Sequence, residues 1–66
     1  MDNKYKDRAI DLLDMQWWYY IGQYHNTEQL AYYDGMKEAF NALLLLEHST
    51  VERNEQGKHR IVDLPQ

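Results

Sequence analysis

Two long stretches repeat apolar positions with the 3.6-residue period of an amphipathic α-helix. In the first, over residues 2–23, steps of 100° bring Tyr5, Ala9, Ile10, Leu12, Leu13, Trp17, Tyr20, Ile21 and Tyr24 onto one broad arc. Asp7, Asp11 and Asp14 fall opposite. Trp18 projects into that acidic side, and Met15 and Tyr19 lie at the margin between it and the arc. Asp2 is placed to cap the start. In the second stretch, over residues 28–48, Tyr32, Tyr33, Met36, Ala39, Phe40, Leu43 and Leu44 form the main stripe, with Leu30 and Leu45 away from it. Beside the stripe run the small residues Ala31, Gly35, Ala39 and Ala42. A helical glycine costs about 1 kcal/mol relative to alanine, so Gly35 predicts either a closely approaching helix or an aromatic ring over the gap. Asn26 or Thr27 can cap this second helix, and His48 sits near its end, where the helix dipole favours it.

The link Tyr24–Thr27 is short and polar, so the two helices must run antiparallel. Residues 49–66 change character. Val51, Ile61, Val62 and Leu64 are their sizeable apolar residues, and Asn54-Glu55-Gln56-Gly57 reads as a turn between Thr50–Arg53 and Lys58–Val62. A lone two-stranded hairpin is marginal in water, so it forms only if Val51, Ile61 or Leu64 docks. The expected architecture is mainly α: an antiparallel two-helix hairpin followed by a short C-terminal β-hairpin or an extended tail. Its core is expected to include Leu13, Trp17, Tyr20, Met36, Phe40 and Leu43. Two helices and a tail cannot cover this much apolar surface. The reading therefore adds dimerisation into a four-helix bundle, with Leu45, Leu46 and part of Trp17–Tyr24 near the interface.

Composition narrows the classes. Sixty-six residues and 8.0 kDa make one small domain, 1–66, and the absence of cysteine leaves no disulfide to support it. Met1–Arg8 is mostly charged and no apolar run of signal-peptide length follows, which predicts a cytoplasmic chain; no window suits a membrane span. Aromatics reach 14% of the chain, and five of the nine fall within Trp17–Tyr24.

Candidate chemistry is sparse. His25, His48 and His59 have no ligand spacing, so no metal or other cofactor is expected. Ser49 is the sole serine and follows His48 directly, which does not make a nucleophile and base converge. It more simply satisfies free carbonyls or starts the tail. Gly22, Gly35 and Gly57 are too far apart for a phosphate loop. The chain reads as non-enzymatic. Direct nucleic-acid binding is disfavoured, because acidic neighbours interrupt Lys4, Lys6, Arg8 and the group Arg53, Lys58, Arg60.

Two surfaces remain. Trp18 with Met15, Tyr19 and the carboxylates Asp7, Asp11 and Asp14 has the composition of a protein-binding hot spot, an apolar anchor with a polar rim. The expected function is a protein–protein interaction module that self-associates as a homodimer or binds and regulates a host protein. The alternative is an acidic inhibitor, in which the aspartate row, with Asp34 and Glu38 on the second helix, imitates a nucleic-acid backbone and occupies an enzyme's basic groove. In size and style the run Leu30-Ala31-Tyr32-Tyr33-Asp34-Gly35-Met36-Lys37-Glu38-Ala39 resembles small accessory proteins of phages and mobile elements. That resemblance implies a regulatory role and carries no site residues.

Overall fold

The computed structural model describes residues 4–65. Helix α1 spans Lys4–Gly22 and α2 spans Thr27–Leu44; a 3-10 turn, Leu45–Glu47, continues α2. Strands β1, Ser49–Arg53, and β2, His59–Asp63, form an antiparallel pair with Val51 opposite Ile61 and Arg53 opposite His59. The expected helical hairpin and β-hairpin are thus both present, and no described helix is long and apolar enough to cross a membrane. Asp2, the expected first cap, lies outside the described residues.

Local chemistry sets each boundary. The Asn26 side chain accepts from the main-chain N–H groups of Glu28 (2.9 Å) and Gln29 (3.4 Å), which caps α2. The second helix stops short of the expected His48. Its last residues tighten into the 3-10 turn, and His48 itself takes a left-handed conformation (φ 55°) that redirects the chain into β1. Ser49 does start the strand, and its hydroxyl donates to the Glu47 carbonyl at 3.2 Å. At the other end of the pair, the His25 N–H bonds back to the Tyr20 carbonyl at 3.1 Å, while Tyr24 and His25 both carry positive φ. Glycine usually occupies such a helix exit. Between the strands, the Asn54 carboxamide accepts from the N–H groups of Gln56 and Lys58. Gly57 is required there: its φ is +82°, and a Cβ would stand 2.7 Å from Trp17 Cδ1.

The β-hairpin lies on one face of the helix pair. The buried core is Leu13, Tyr33, Phe40, Leu44 and Val51, with Tyr5, Ala9, Ile10, Trp17, Leu30, Met36 and Ile61 packed against it. Four expectations need correction. Leu43 is 53% exposed, and Leu44 takes the central place instead. The run of four leucines covers every side of the helix, so only its docked face could tell them apart. Leu30 packs against the core because the hairpin widens the buried side of α2. Tyr24, placed on the apolar arc, is 96% exposed in the turn beyond α1. Gly35 has nothing within 4 Å of where its Cβ would stand, so neither helix nor aromatic ring explains it within one chain.

Candidate functional site

Under the hairpin, one chain of hydrogen bonds joins three elements. The Tyr33 hydroxyl on α2 lies 2.7 Å from Nε2 of His59, and the other ring nitrogen, Nδ1, lies 2.6 Å from Oδ1 of Asp14 on α1. That same carboxylate oxygen accepts the main-chain N–H of His59 at 2.8 Å. A carboxylate carries no proton, so Nδ1 donates to Asp14. The His59 side chain is fully buried. Burial pushes the Tyr33 hydroxyl above its ordinary pKa, against the pull of the Arg53 guanidinium. A buried hydrogen-bonded set of this kind fixes a packing arrangement, since each broken link strands a polar atom.

The set resembles a catalytic relay only in its order of groups. Tyr33 is almost wholly buried and His59 is enclosed with it, so no substrate atom can approach either. Its role is docking. The exposed edges of the sheet are treated alike: Asp14 caps the His59 N–H on β2, and the Asn41 side chain caps the Val51 N–H on β1 at 2.9 Å while accepting from Thr50 Oγ1. Unpaired strand edges invite pairing with other chains, and here each helix supplies one plug. Over the hairpin tip, the Arg53 guanidinium stacks 3.5 Å above the Trp17 ring, which also packs on Tyr33 at 5.1 Å.

The opposite face of the helix pair is uncovered. A groove of about 260 Å³ runs between α1 and α2, lined by Tyr5, Ala9, Leu12, Leu13, Met36, Ala39, Phe40 and Leu43. A second of about 280 Å³ continues it, sharing Leu12 and Met36 and adding Met15, Gln16, Tyr19 and Gln29. Its floor is crossed by one polar tie, in which Gln16 donates to the carbonyl and side-chain oxygens of Gln29. Met15, Tyr19 and Leu43 rise along its rims, each more than half exposed. At the end nearest the chain reversal into β1, Lys6 pairs with Glu47 at 3.0 Å and Tyr5 donates to the same carboxylate. The Lys6 hydrogen bond holds the Glu47 carboxyl below its usual range.

The six residues read from the sequence as a partner site separate in space. Met15 and Tyr19 lie on the α1 rim of the groove. Trp18, 53% exposed, is three residues from Met15 but sits on the hairpin side, where its ring reaches Gly57. Asp7 and Asp11 are exposed. Asp14 is committed to His59 and is no longer a free member of the row. Among the described residues no group of histidine and carboxylate side chains converges as a metal site.

His59 is the residue that the sequence reading passed over. A signal existed: period two along β2 puts His59 on the same side as Ile61, one of the residues expected to dock. No protein-family model, curated protein or solved structure matches this chain.

Proposed function

We propose that this chain is a protein–protein interaction module that works through the open face of its helix pair. The observation that carries the reading is the continuous apolar groove opposite the hairpin, with Met15, Tyr19 and Leu43 exposed along its rims. Monomers seldom leave apolar patches above a few hundred Å² uncovered. A groove between two antiparallel helices suits a further helix, whose apolar side chains fill it as a third ridge. The reading through the carboxylate row has less to work with, because Asp14 is occupied.

Salt and substitution test the proposal together. Immobilised protein should retain a binding protein from its source cell in 0.5 M salt, where exposed charge pairs are largely screened. Tyr19→Glu, which puts charge on the groove rim, should abolish retention without unfolding the chain. Retention that Tyr19→Glu leaves intact, or that disappears with salt alone, would contradict the apolar-face reading.

A further inference from the structure

The two edges of the sheet are plugged at different rungs. The Asn54 N–H bonds to the Lys58 carbonyl, and antiparallel pairing alternates from there. Ser49, Val51 and Arg53 on β1, and His59, Ile61 and Asp63 on β2, therefore turn their main-chain groups away from the partner strand. The plug on Val51 sits at the middle of β1 and splits that edge. The plug on His59 sits at the first rung of β2 and leaves Ile61 and Asp63 as neighbouring open rungs. Among the described residues nothing accepts from either N–H. Pro65, the next outward position, has no N–H and closes the stretch.

An acidic flank runs beside these two rungs. Strand β2 is antiparallel to α1: Gly57 meets Trp17, His59 meets Asp14, and Asp63 lies across from Ser49, close to the Glu47 that Lys6 holds. Going from His59 to Asp63 thus descends α1 from Asp14 past Asp11 and Asp7. At 100° per residue these three aspartates fall within about 60° of one another. Asp11 and Asp7 therefore follow Asp14 down the side from which it reaches the strand edge. Both are exposed, as is Asp63. Lys4 stands on the same flank at the start of the helix.

We propose that the outer edge of β2 takes an extended peptide with lysine or arginine at alternate positions, added antiparallel and bonded through its main chain to Ile61 and Asp63. Strand addition draws affinity from main-chain hydrogen bonds and specificity from alternate side chains. Ile61 packs towards the helices, and a residue directly opposite it projects to the same face. The peptide residues that bond to Ile61 and Asp63 are thus the ones whose side chains meet the flank of α1. Their spacing agrees with it. Asp7 and Asp11 are about 6 Å apart along the helix, and alternate side chains of a strand are about 6.6 Å apart. A peptide with acidic residues at those positions would meet Asp7, Asp11 and Asp63 with like charge. The net charge of −4 favours a basic partner as well. This surface is separate from the apolar groove, and the proposal goes beyond the reading of that groove.

A short synthetic peptide alternating lysine and threonine is the probe. Added at about 1 mM to the isotope-labelled protein in low salt, it should shift the Ile61 and Asp63 amide signals and slow their exchange with solvent several-fold. Methylating the main-chain nitrogens of its lysines removes the donors that face β2 and keeps the charge, and should abolish the effect. Methylating those of its threonines, on the far edge, should not. Glutamate in place of lysine should also abolish it. Asp7→Asn combined with Asp11→Asn should weaken binding roughly ten-fold, the loss expected for two exposed charge pairs, with the melting temperature unchanged. Equal binding of the lysine-methylated peptide would mean charge attraction without strand pairing, and overturns the inference. So does a response centred on Met15 and Tyr19, binding that the two asparagine substitutions leave intact, or no response at Ile61 and Asp63.

Discussion

The two faces of the helix pair carry similar apolar side chains and are finished in opposite ways. On one, the β-hairpin is laid down and held by Tyr33, His59 and Asp14, with Asn41 plugging the sheet edge. On the other, Met15, Tyr19 and Leu43 are left exposed around a groove. The covered face is where polar groups are buried, and it is specified by them: a hydrogen-bonded set accepts one geometry, whereas apolar packing alone tolerates several. On the open face the polar contacts, such as Gln16 to Gln29, are only partly buried.

The largest expected effect contrasts adjacent tryptophans. Trp17 packs on Tyr20 and Tyr33, carries Arg53 on its ring and seats Gly57. Trp17→Ala should cost about 3–5 kcal/mol. Trp18→Ala removes a half-exposed ring and should cost about 1 kcal/mol or less. Urea unfolding of both variants measures the difference, and equal losses would show that the half-exposed Trp18 ring holds the hairpin as firmly as Trp17 does.

Next in size is Asp14→Ala. It removes the one oxygen that accepts from both the His59 N–H and Nδ1, at roughly 1–3 kcal/mol in all, since the site is only part-buried. Asp11→Ala, one turn away and exposed, should be close to neutral. Thermal melts of the pair distinguish a structural carboxylate from a solvating one.

The smallest effect is a pH dependence at the end of the helix pair. The Glu47 carboxyl is held below its unfolded pKa, first by the Lys6 hydrogen bond. Such a group contributes stability above the unfolded value, and the contribution is lost as pH falls through the lower folded value. Melting temperature should therefore drop between neutral pH and the acid side of the carboxylate range, and Glu47→Gln should make that drop slightly shallower.

What the sequence discloses follows from how local each determinant is. The Asn26 cap, the Asn54–Gly57 turn and the two helical periods act within a few residues, and the elements stand close to where those signals put them. Leu43 and Leu44 could not be ranked, because four consecutive leucines offer every face and only the docked hairpin decides between them. Asp14 and His59 are 45 residues apart. Their pairing depends on how β2 lies across α1, and no spacing along the chain encodes it. Of the surface read as a partner site, Met15 and Tyr19 reach the groove, while Trp18 faces the hairpin tip and Asp14 is absorbed into the fold.

The contrast between the faces is tested most directly by removing one oxygen from each of two neighbouring residues. Tyr33 is buried with its hydroxyl on His59, and Tyr32 is 64% exposed. Tyr33→Phe leaves Nε2 of His59 without its partner and should lower the unfolding free energy by about 1–3 kcal/mol. Tyr32→Phe should leave it within about 0.5 kcal/mol of wild type. Indistinguishable unfolding curves for the two variants would mean that the buried hydrogen-bonded set does not hold the hairpin in place.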